Sequence, residues 1–145
     1  MINQNGENMF LKIILAAGLL FGAVVDYRTK SLSVIYLYGM VIMGIIFGII
    51  ERSSFSSEIL LGLLPGIVIV ILAFVSKEKI GYGDGILLLS IGGFLGYLNC
   101  IIIMMYSLLF SAVISIITFI KRRNRYEEIP FVPFLFLGYV MVVFL

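Results

Sequence analysis

From Gly85 to Ile120 the chain runs for 36 residues without one charged side chain. As a single α-helix this run would be about 54 Å long, whereas the hydrocarbon core of a bilayer is about 30 Å thick. One crossing cannot use it, so it folds back as a helical hairpin. The predicted turn is "GYLNC", Gly96 to Cys100. Composition agrees with a membrane setting: 62% of the residues are hydrophobic and 12% are charged. Soluble domains are about half apolar and about a quarter charged. So few charges cannot cover a water-soluble surface, and one transmembrane domain over residues 1–145 is expected.

The other apolar runs complete the count. They are Met9–Val25, Leu32–Ile50, Ile59–Ser76 and Ile129–Leu145. Splitting the long run into 85–98 and 101–120 gives six spans, so the predicted fold is all-α, a bundle of six transmembrane helices. Charge tests the count. With six spans, Arg28, Lys30, Lys77, Lys79, Lys121, Arg122, Arg123 and Arg125 fall on one side, eight of the ten basic residues. Only Lys12 and Arg52 lie towards the other. Lys and Arg collect in cytoplasmic loops, which places both termini outside. "ERSSFSSE" (Glu51 to Glu58) then reads as a short outer loop, and "KRRNR" (Lys121 to Arg125) as an orienting loop that touches anionic lipid. "MINQNGENMFLK" has no basic residue before its apolar segment and no small-residue cleavage site, so no removable signal peptide is expected.

Some chemistry is excluded. There is no histidine, and Cys100 is the only cysteine. Histidine-based catalysis, an internal disulfide and a zinc site all need residues this chain lacks. Cys100 reads as an apolar filler, and no metal or cofactor is expected. Glycines four apart (Gly18 and Gly22, Gly44 and Gly48, Gly62 and Gly66, Gly92 and Gly96) let helix backbones approach closely in lipid. Packing within one bundle is the expectation, and Pro65 is predicted to kink the third span.

Ionisable groups near membrane spans are costly, so they are candidates for function. Asp26 ends the first span in "VVDYRTK" and Asp84 begins the fourth in "GYGDG". The topology puts both at the cytoplasmic end. Asp84 has an equally weighted structural reading: an aspartate before a helix caps free amides and suits the positive end of the helix dipole, with Gly81, Gly83 and Gly85 making a tight turn. Asp26 has a weaker one, because an acid at a helix C-terminus opposes the dipole, although Arg28 or Lys30 could offset it. Two carboxyl groups at close range share a proton. The ionised one can deprotonate water while the neutral one donates to a carbonyl, which allows peptide hydrolysis without histidine, cysteine or metal. Glu78, Glu127 and Glu128 on the same side read as partners of neighbouring Lys and Arg. Tyr27, Tyr82 and Tyr126 read as interfacial anchors.

Three segments together resemble the type IV prepilin peptidase family, membrane aspartyl proteases with a Gly-x-Gly-Asp motif. "DYRTKSLS" resembles that family's Asp-x-Arg at a helix end, with Arg28 as the arginine. "GYGDG" resembles its signature motif, and "IPFVPFLFLG" its closing Pro-Phe-Gly-Pro helix. The resemblance covers nearly the whole chain. It implies that Asp26 and Asp84 are the catalytic pair, that Gly81 and Gly83 are the motif glycines, and that Pro130 and Pro133 open the last helix. It further implies cleavage of a short basic leader from pilin-like precursors at the cytoplasmic face of a prokaryotic inner membrane. The implied partners are those precursors and membrane lipids, with no nucleic acid.

The chain departs from the family pattern at Ile86, where many members have lysine, at Leu32-Ser33-Val34 in place of Ile-Pro-Asn, and at Val132 in place of glycine. Larger members carry paired cysteines and an N-methyltransferase region near the N-terminus. One cysteine and eight residues before the first span point to peptidase activity without methylation. Two other readings stand beside this one. A small carrier or channel subunit would bind a cation or proton on its acids, with Pro65 as its support. An inactive relative would assist assembly.

Overall fold

The computed structural model describes residues 4–52, 57–77, 81–122 and 129–145. These form six helices: α1 (Gln4–Thr29), α2 (Val34–Arg52), α3 (Ser57–Val75), α4 (Tyr82–Leu95), α5 (Tyr97–Arg122) and α6 (Val132–Phe144). Among the described residues there is no strand. Four of the helices, α1, α2, α3 and α5, are long and apolar enough to cross a membrane. With 14 and 13 residues, α4 and α6 rise only about 21 Å and about 20 Å. Both are apolar but shorter than the hydrocarbon core.

The short helix α4 is the centre of the molecule. It packs against α2, α3 and α5, while α6 packs against α5 and α1. Helix α4 is apolar on every side, and Gly85 to Leu88 and Ser90 to Phe94 are buried. A helix without a polar face is stable only when surrounded. The core joins Ile86, Leu87, Ile91 and Phe94 of α4 to Leu15 and Leu19 of α1, Leu37 and Met40 of α2, Ile103 of α5 and Leu135 of α6. The outside is apolar as well. Ile35, Ile42, Ile46 and Ile50 line one exposed stripe of α2, and Met105, Leu109, Val113, Ile116 and Ile120 are exposed on α5. A surface of this kind suits lipid rather than water.

Glycine permits the closest helix contact. A methyl group added at Gly62 of α3 would overlap the Gly92 carbonyl oxygen of α4, and one added at Gly92 would overlap that of Gly62. Gly18 and Gly22 likewise sit against Met40 and Tyr36 of α2, and Gly44 and Gly66 against Ser90 and Leu89 of α4. Buried and half-buried hydroxyls tie helices through backbone carbonyls: Ser90 Oγ donates to Met40 O at 2.6 Å, Tyr36 OH to Gly18 O at 2.6 Å, and Tyr139 OH to Lys12 O at 3.0 Å. In lipid such groups have no water to turn to.

Several expected boundaries are corrected. The turn of the hairpin is Gly96 alone, not Gly96 to Cys100. Its φ of 88° reverses the chain, its N–H bonds Gly92 O, and α5 starts at once with Cys100 N–H donating to Gly96 O. A single glycine suffices because it alone adopts that φ without strain. Helix α1 runs past Val25 to Thr29, so Asp26 lies inside its last turn. Helix α3 continues through Pro65 from Ser57 to Val75. Glu78, Lys79, Arg123, Arg125, Tyr126, Glu127 and Glu128, and the middle of the expected outer loop, fall outside the described residues.

Candidate active site

The C-terminal end of α1 and the N-terminal ends of α4 and α6 meet at one end of the bundle. Asp26 is brought there by α1. It is 9% exposed, a low figure for a carboxyl group, and its Oδ2 accepts a hydrogen bond of 3.2 Å from the backbone N–H of Val132. Val132 is the first residue of α6, where backbone N–H groups have no partner within the helix. A buried polar atom without a partner is costly, and this bond removes that cost for one carboxyl oxygen. Arg28 does not do so. It is exposed, and among the described residues it forms no ion pair with either acid.

Asp84 comes from α4. Its position corrects the capping expectation: the N-cap of α4 is Gly81, with no side-chain cap bond, and Asp84 is the third helical residue. Among the described residues its carboxyl has no hydrogen-bond partner. The group is partly buried and folds back over Gly81, so that a methyl group on Gly81 would overlap Asp84 Oδ2. It also lies near enough to Asp26 for the two carboxyls to interact electrostatically.

The remaining expected residues divide. Gly81 is exposed and beside the acid. Gly83 has room: an added methyl would sit 3.6 Å from Leu37 Cδ1 and 3.7 Å from Leu32 Cδ1, ordinary contact. Pro130 precedes α6 and Pro133 is its second residue, so they flank the amide that meets Asp26. Ile86, where many relatives have lysine, is 3% exposed in the apolar core. Val132, read from the sequence only as a departure, is fully buried and carries the Asp26 contact. No side-chain pattern announces a backbone donor. The one available signal was the pair of prolines marking a helix start. Among the described residues, no three His, Cys, Asp or Glu side chains gather where they could hold a metal.

Helices throughout the described residues, four of them long and apolar enough to cross a membrane, with an apolar exterior, fit a multi-pass membrane protein, and two acids approach each other at one end of it. Within that class, residues 13–116 match the model of the type IV leader peptidase family, and the chain belongs to this family. The match spans both Asp26 and Asp84 and ends before α6. No curated protein and no solved structure matches the chain.

Proposed function

We propose that the chain is an intramembrane aspartyl endopeptidase in which Asp26 and Asp84 act together. It removes the short basic leader from pilin-like precursors at the cytoplasmic face of a prokaryotic membrane, and leaves the new N-terminus unmethylated. The observation that carries this reading is the approach of two acids from distant parts of the sequence, Asp26 in the last turn of α1 and Asp84 in the first turn of α4. Packing alone gives no reason to bring two acids near each other, since like charges at close range oppose each other.

The chemistry follows from the pair. One carboxylate takes a proton from water as the water oxygen bonds to the scissile carbonyl carbon. The protonated partner gives its proton to the carbonyl oxygen. Collapse of the tetrahedral species breaks the C–N bond: the proton taken from water passes to the leaving nitrogen, and one hydroxyl proton of the tetrahedral species returns to the second carboxylate. The exposed Gly81 lets an extended substrate backbone lie close to Asp84. Helix α3 continues through Pro65 and both acids lie in the end turns of their helices, so Pro65 does not give the carrier reading a helix break beside an acid.

Co-expression with pilin-like precursors tests the proposal. The parent is expected to yield the shortened product with a free amino terminus, and Asp26→Asn and Asp84→Asn, at normal membrane levels, none. Equal processing by parent and variants would remove these two residues from the mechanism.

A further inference from the structure

In the first turn of α6, one N–H is left over. Phe134 and Leu135 both donate to Phe131 O at 3.0 Å, and Pro133 has no N–H. Only the amide of Val132 points out of the turn, and it meets Asp26 Oδ2. The amide is also held in place. Pro130 and Pro133 restrict the backbone on either side of it, and the Val132 side chain is fully buried. Asp26 itself stands in the last turn of α1, with exposed Tyr27 and Arg28 beside it. No side chain among the described residues fixes its carboxyl.

We infer that the Val132 backbone N–H, clamped between Pro130 and Pro133, is the positioning group that orients the Asp26 carboxyl for catalysis. The inference rests on Asp26 serving in the peptidase proposed above. The bond fixes Oδ2, which leaves Oδ1, with no partner among the described residues, to face the reacting water. It also gives "IPFVPF" a task. The segment delivers one main-chain donor to an acid 106 residues away, and the donor is a backbone group that valine and glycine both possess. A valine can therefore stand where relatives have glycine.

The test removes the N–H and leaves the side chain. The full chain is made with an ester at position 132, by incorporating the α-hydroxy analogue of valine, and in parallel with an ester at Leu135. The Leu135 ester removes a hydrogen bond to the Phe131 carbonyl in the same turn, and so reports purely structural damage. The substrate is a purified pilin-like precursor whose basic leader ends in glycine. The Val132 ester is expected to lower kcat roughly 10- to 100-fold with little change in KM, and the Leu135 ester to stay within about threefold of the parent. Equal losses in both esters, or full activity of the Val132 ester, would overturn the positioning role and leave the peptidase reading intact. A parent that cuts none of a panel of such precursors, or an Asp26→Asn variant as active as the parent, would overturn both.

A spectroscopic readout is independent of turnover. In protein labelled with 15N-valine, the Val132 amide resonance is expected to move on Asp26→Asn while those of Val140, Val142 and Val143 stay in place. A Val132 resonance that does not move would sink the contact itself.

Discussion

The Asp84 carboxyl lies back over Gly81, three residues before it, in the space that a side chain at position 81 would occupy. The acid's orientation thus depends on that glycine having no side chain, whereas Gly83 has room for one. The two motif glycines should separate in a cleavage assay. Gly81→Ala is expected to lower the rate at least about tenfold, because a displaced acid loses its alignment. Gly83→Ala is expected to keep the rate within about threefold and to be neutral or slightly stabilising. Equal sensitivity at both positions would show that the glycines serve something other than the carboxyl's placement.

Ile86 is buried in the apolar core one residue beyond Gly85. Ile86→Lys places an ammonium group there with no prepared partner, at a cost of several kcal/mol. The expected result is a loss of folded protein in the membrane and increased protease sensitivity, with Ile86→Met close to the parent. A stable, active lysine variant would show that the α4 entrance relaxes to admit the charge.

The contact between α3 and α4 gives a stability prediction. Gly92→Ala drives a methyl group into the Gly62 carbonyl, and neither backbone can yield without shifting a helix. Destabilisation of about 1–3 kcal/mol is expected. Gly39→Ala on α2 meets nothing within 4 Å and should be neutral or stabilising by up to about 1 kcal/mol. Thermal unfolding of both variants in detergent provides the comparison.

Cys100, the sole cysteine, is fully buried, and its Sγ lies 3.6 Å from Leu88 O. A maleimide is expected to label it at the rate of global unfolding and not before. Rapid labelling of the native protein would mean that α4 and α5 separate at their hairpin in the folded state.

Helix number was legible in the apolar runs, but the ends of the helices were not. Helix α1 carries on through Asp26 and Arg28 because its backbone bonds continue where hydropathy falls away: Lys30 N–H still reaches Asp26 O. The hairpin turn shrank to Gly96 because hydropathy cannot distinguish a loop from two helices hinged on one positive-φ residue. Asp26 stood out in the sequence because an acid at a helix C-terminus opposes the dipole. Arg28 and Lys30 are the cations the sequence offers to offset that cost, but the bond to its carboxyl comes from the Val132 main-chain amide, a donor that every residue but proline possesses.

The sequence by itself determined a six-helix, lipid-facing chain with two acids at helix ends, since apolar run length and charge are local properties that a bilayer reads directly. Tertiary structure decided that α4 is the enclosed centre, that Asp84 lies against Gly81 rather than capping a helix, and that the start of α6 reaches Asp26. These are contacts between segments far apart in the chain. They depend on where small residues let helices close together, and on which end of each helix the packing brings to the same place.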